Sequence, residues 1–132
     1  MRLTLCDLPS QSIGGISVNM RYALKSFTPS PVPLRYKVDV LFHELLHRFL
    51  AQHPVQGSAL LAAHAHEPER VRQHLHLLAL QKAVLLALKQ PEALQDVIAI
   101  DSQLPGGAYR RAWQIVNASD TAYENYVDEL SR

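Results

Sequence analysis

The pattern of apolar and polar positions divides the chain near residue 33. Before it, Leu3-Thr4-Leu5 and Ile16-Ser17-Val18 are short stretches of strand type, separated by Pro9 and the Gly14-Gly15 breaker. Met20 to Lys25 extends the second strand or forms a short helical turn. Pro29, Pro31 and Pro33 then impose extended backbone, because proline fits a helix only in its first turn. A helix is predicted from Leu34 to Gln52, ending before Pro54, since the residue preceding proline disfavours the α region. Val55 to Ala65 carries a break at Gly57 and a short Ala/Leu-rich helix. Pro68 opens a second long helix reaching about Lys89. Its leucines, among them Leu75, Leu77, Leu78, Leu80 and Leu85, lie on every side, which predicts a central, buried helix. Pro91-Glu92 starts a third, to about Leu104, and Pro105-Gly106-Gly107 ends it with turn chemistry. Tyr109 to Val116 and Thr121 to Leu130 are two more, with Ser119 or Asp120 as N-cap of the last. The expected class is therefore α+β and mostly α-helical, with a small N-terminal β element packed beside a helical core. One domain covers 1–132: strands and proline-rich linker over 1–33, helices over 34–132.

Periodicity within the first long helix separates two faces. With Val38 at zero and about 100° per residue, Leu41, Phe42, Leu45, Leu46 and Phe49 fall within about 80° of it. They predict a hydrophobic anchor. His43 and His47 lie at roughly 140–180°, nearly opposite. Tyr36, Val40 and Leu50 share that side and make it too apolar to be simply wet.

That face carries the main chemical signal, His43-Glu44-Leu45-Leu46-His47. Seven His and six Glu among 132 residues would produce this H-E-x-x-H pattern roughly 0.02 times by chance. Residues i and i+4 share a helix face, so both imidazoles can address one zinc ion at ~2.0–2.1 Å. Glu44 projects about 100° away from His43 and is placed as general base rather than ligand. With Val40, Leu41 and Phe42 before it and Phe49 and Leu50 after it, the motif resembles the zincin metallopeptidase signature. Arg48 departs from that signature, which usually has an uncharged residue after the second His. The resemblance covers about a dozen residues and implies a zincin-like core, its motif helix facing a second buried helix. It also implies a sheet whose edge strand holds extended substrate.

A catalytic zinc takes a third protein ligand and keeps one position for water. His53 has the spacing of the third His of metzincins, but Leu50 replaces their glycine and no downstream Met exists for a Met-turn. Glu67, twenty residues after His47, resembles the gluzincin arrangement, although Val71 stands where those enzymes carry an orienting Asp. A first-turn carboxylate complementing a helix dipole accounts for Glu67 equally simply. His74 lies in the leucine-rich arc of the second long helix, where an unsatisfied imidazole would cost about 1–3 kcal/mol. A metal would satisfy it, and so would a backbone carbonyl. The order is His74, then Glu67, His53 and His76, with His64 and His66 as loop residues near the site mouth. The pattern is closer to a reduced gluzincin than to a metzincin. Tyr109, Arg110, Tyr123 and Tyr126 are available as oxyanion donors.

Composition narrows the partners. A net charge of +1, without a basic stripe or aromatic–basic alternation, argues against nucleic acid. No apolar run reaches the length of a membrane span, and the N-terminal stretch lacks a signal-peptide core. The single Cys6 forms no intrachain disulfide and fits a reducing compartment. The expectation is a soluble cytoplasmic zinc metallopeptidase acting on a peptide or protein substrate. Metal-activated water would attack, with Glu44 as general base and zinc held by His43, His47 and His74, or Glu67 in place of the last. Two rivals keep the zinc and lose the catalysis: a regulatory or sensor domain, and a structural zinc-binding helical domain.

Overall fold

Proline sets several of the helix boundaries. The computed structural model describes residues 2–4, 15–19 and 32–131. Within them α1 spans Leu34–Gln52, α2 Ala59–Ala63, α3 Glu69–Ala87, α4 Pro91–Asp101, α5 Ala108–Val116 and α6 Ala122–Leu130. α1 starts directly after Pro33, whose carbonyl accepts from the Tyr36 N–H at 3.0 Å, and it stops before Pro54. Pro68 stands at the N-cap of α3 rather than inside its first turn, its carbonyl accepting from Val71 and Arg72. Pro91 occupies the first turn of α4, where its missing N–H costs no helical bond.

Two ends differ from expectation. α4 stops at Asp101, and the backbone to Leu104 continues as tighter i→i−3 turns, Gln103 N–H to Ile100 and Leu104 N–H to Asp101. α6 begins after Thr121, which makes no side-chain cap, so neither Ser119 nor Asp120 is the N-cap. The end of α3 is a Schellman motif: the N–H groups of Lys89 and Gln90 reach back to the carbonyls of Leu86 and Leu85. It places Lys89 at φ 56°, the left-handed conformation usually given to glycine.

The α+β expectation is overturned. β1 (Arg2–Thr4) and β2 (Ser17–Asn19) pair in parallel, Arg2 opposite Ser17 and Thr4 opposite Asn19. Three residues per strand in a two-stranded pairing make a local contact, not a layer that buries a face. Apart from this pairing, the regular structure of the described residues is all helical. The sheet edge that the zincin resemblance implies has no counterpart among the described residues. Met20 to Lys25, Pro29, Pro31 and Cys6 lie outside the described residues.

Contacts divide the chain into two compact units, Met1–Ala51 and Gln52–Arg132. In the second, α3 packs against α4, α5 and α6 and is buried without interruption from His74 to Ala79. Leu75, Leu77 and Leu78 are fully enclosed there, with Val97, Trp113 and Val116 beside them in the core. This is the central helix that its leucine distribution predicts. In the first unit Ile16, Val32, Tyr36 and Leu46 are buried. No helix among the described residues is long and apolar enough to cross a membrane.

Candidate metal centre

Unbroken helix runs through the motif in α1, so His43 and His47 stand one turn apart on one face. Their rings meet edge to face, centroids 4.8 Å apart at 75°, and their ligand nitrogens lie within 4.8 Å of each other. His43 is buried, and His47 is half-buried. Burial holds the His47 imidazole below its ordinary pKa, which favours the neutral form that a metal requires. Two adjacent imidazoles are a fitting donor pair for zinc. Glu44, next in the chain, is only 6% exposed.

The anchor assigned to the opposite face is a second correction. Of that arc only Leu46 is buried; Leu41 and Phe42 are half-buried, and Val38, Leu45 and Phe49 are 63%, 48% and 43% exposed. The covered residues are Tyr36, Lys37, Asp39, His43, Glu44 and Leu46, a half-circle centred on the histidines. The angular pattern could not choose between the faces, because Tyr36, Val40 and Leu50 give the histidine side apolar weight of its own. Lys37 and Asp39 are buried polar residues to which periodicity assigned no role. Burial lowers the Lys37 pKa, and Asp39 sits one turn before His43 on the same side. The four-residue spacing between Asp39 and His43 is legible in the sequence and puts both on one face.

The other candidate ligands belong to the second unit. His74 donates from Nδ1 to the Arg70 carbonyl at 2.6 Å, and its Nε2 lies 3.1 Å from the Tyr109 hydroxyl. The backbone-bonded imidazole anticipated from burial is thus present, and Tyr109 is engaged with it. His76 donates from Nε2 to Glu129 at 2.9 Å and meets the Tyr126 ring edge-on. Glu129 also accepts from the Ser58 hydroxyl at 2.6 Å and the Leu60 N–H at 3.3 Å. Burial opposes its ionisation, yet the hydrogen bonds from Ser58, His76 and Leu60 prevail and hold its pKa below the ordinary carboxylate value. Ser58 in turn caps α2, accepting from the Leu61 N–H at 2.9 Å. Glu129 therefore ties the start of α2 to α3 and α6, an arrangement no local spacing announces.

Glu67 precedes α3 and binds the Arg111 guanidinium through Nε at 2.9 Å and through Nη2. That hydrogen bond first, then the charges of Arg111, His66 and His64, lower its pKa against the opposing effect of burial. His64, His66 and Glu67 bring their ligand atoms within 4.8 Å of one another, a grouping legible in the run His64-Ala65-His66-Glu67. His53 is exposed and lines a cleft of about 480 Å³ with Ser58, Glu129 and Leu130. Of the remaining oxyanion candidates, Arg110 donates to the Ser102 carbonyl, Tyr123 lies under the Lys82 ammonium, and Tyr126 packs on His76. No family model, curated protein or solved structure matches this chain.

Proposed function

We propose that this chain is a zinc-dependent hydrolase of peptide bonds, working in the cytoplasm on a peptide or protein substrate. The observation that carries the reading is the pair of touching imidazoles, His43 and His47, on the covered face of α1 beside the buried carboxylate of Glu44. Zinc, when bound, supplies a Lewis acid that brings the pKa of water toward ~7. Glu44 accepts the proton of the attacking water and returns it to the leaving amine as the C–N bond breaks. Glu44 is covered together with His43 on this face, which shelters the carboxylate from bulk water.

The lowered His47 pKa gives the reading a pH consequence. Protons compete with metal only where the imidazole is charged, so zinc binding through His47 should meet less competition near neutral pH and weaken as the solution becomes more acid. The decisive experiment is Glu44→Gln in zinc-loaded protein, assayed against an unstructured protein substrate. Zinc content should hold while turnover falls by about 10²–10⁴. Equal turnover in the variant sinks the peptidase reading and leaves a sensor or structural zinc domain. A His74→Ala variant, read by zinc affinity, tests the third ligand expected from the sequence.

A further inference from the structure

The turn between α2 and α3 holds a second set of ligating side chains, all of them within the second unit. His64 ends α2, its N–H shared between the carbonyls of Leu60 and Leu61, and its own carbonyl accepts from the Glu67 N–H at 3.0 Å. This closed turn brings His64, His66 and Glu67 to one side with their ligand atoms within 4.8 Å. We propose that His64, His66 and Glu67 form an exchangeable site for a divalent transition ion of the zinc class, with Arg111 occupying the carboxylate when the ion is away.

Three observations carry it. His64 Nδ1 is enclosed without a hydrogen-bond partner, and a buried polar atom left that way costs free energy that a coordinated ion removes. Two imidazoles and one carboxylate suit zinc, cobalt or nickel; magnesium and calcium prefer all-oxygen sets. The Glu67 side chain is 8% exposed and already carries a cation, the Arg111 guanidinium, on the oxygen that lies 3.5 Å from His66 Nε2. Arg111 is 48% exposed, so it can leave for solvent without being buried elsewhere. His66, 71% exposed, marks the open side by which an ion enters. Three ligands and an open side describe an exchanging site rather than a closed structural one.

Cobalt(II) uptake by the full chain, followed by visible absorption and equilibrium dialysis, tests this independently of peptidase activity. His64→Ala/His66→Ala should bind one ion fewer than the unchanged chain, and Arg111→Met should take up that ion about tenfold more tightly, since a cation beside the site is removed. His43→Ala/His47→Ala should keep this ion. Should the zinc reading of α1 fail, the unchanged chain binds a single ion and the His64→Ala/His66→Ala variant binds none, so the two ideas fail separately. Circular dichroism checks that each variant is folded, and a collapsed His43→Ala/His47→Ala protein leaves the comparison of the other two with the unchanged chain intact. Equal uptake by the unchanged chain and the His64→Ala/His66→Ala variant overturns the site. Unaltered or weaker affinity in Arg111→Met overturns the part given to Arg111.

Discussion

α1 and α3 are each nineteen residues long and rich in leucine and histidine, yet they use their burial in opposite ways. α3 encloses apolar residues on every side, and the polar ones it buries include three with partners in the second unit. His74 is held by Arg70 and Tyr109, His76 by Glu129, and Lys82 by Asn117 at 2.7 Å. α1 covers Lys37, Asp39, His43 and Glu44 while Leu34, Val38, Leu45 and Phe49 lie open. Each large apolar side chain left in water forgoes roughly 1.5–3 kcal/mol of burial. A helix arranged this way is poorly explained by stability. Departure from the ordinary pattern is expected at functional sites, and here it falls on the residues of the metal motif.

The contrast is tested most severely in the core of α3. Leu78→Ala, at a fully enclosed position, should cost about 2–5 kcal/mol, and Trp113→Ala about 3–5 kcal/mol. The tryptophan also leaves the buried Asp101 carboxylate without the indole N–H that reaches it at 3.0 Å. Urea denaturation monitored by far-ultraviolet circular dichroism gives the comparison. A loss under about 1 kcal/mol at both positions would mean that α3 is not the centre of its unit.

Glu129 sharpens the claim that polar burial around α3 is structural. Glu129→Gln should destabilise by about 1–2 kcal/mol at neutral pH, since one side chain serves Ser58, His76 and Leu60. The carboxyl has a lower pKa folded than unfolded, so the unfolded chain binds more protons in the interval between the two values. Its contribution is therefore complete above the ordinary carboxylate range and is lost as pH falls through the folded value. Denaturation of both proteins across acid pH should show their difference shrinking. A difference that is constant with pH would assign the effect to packing instead.

Much of this architecture was readable because proline and leucine act locally. Pro33 and Pro54 bracket α1, Pro68 and Pro91 open the next helices, and the leucines of α3 announce its central position. The motif histidines were readable for the same reason, since a four-residue spacing becomes one face through helical geometry alone. What escaped depends on contacts between distant residues. Nothing near Glu129 in sequence points to Ser58 or His76, and nothing near Glu67 points to Arg111. The α+β expectation failed for a related reason: strand-type residues say that a segment can extend, not that neighbouring strands exist to build a layer. The anchor was assigned to the wrong face of α1 because both faces carry apolar residues.

The end of α3 offers a gain rather than a loss. Lys89 adopts φ 56° in a motif that usually employs glycine. Lys89→Gly removes the Cβ clash and should stabilise by about 0.5–1 kcal/mol, less the added freedom of glycine in the unfolded chain. A thermal midpoint that falls would show that the lysine side chain supplies more than its backbone conformation costs. α1 needs no such device, since its stop is set by Pro54.

The smallest effects belong to the open stripe of α1, and they bear most directly on the contrast between the helices. Val38→Ser and Leu45→Ser should each change stability by no more than about 0.5 kcal/mol, as expected for exposed positions. Helix propensity changes little at Val38, where serine is comparable to valine, and slightly more at Leu45. Solubility should improve in both, because the stripe offers less apolar surface. A loss of 2 kcal/mol or more, roughly the value of a buried leucine, would show that these side chains are covered in solution. α1 would then bury both faces as α3 does, and its polar half would no longer need a functional explanation. A small loss together with the expected fall in turnover for Glu44→Gln would separate the two helices by kind: one holds the second unit together, and the other carries the reaction.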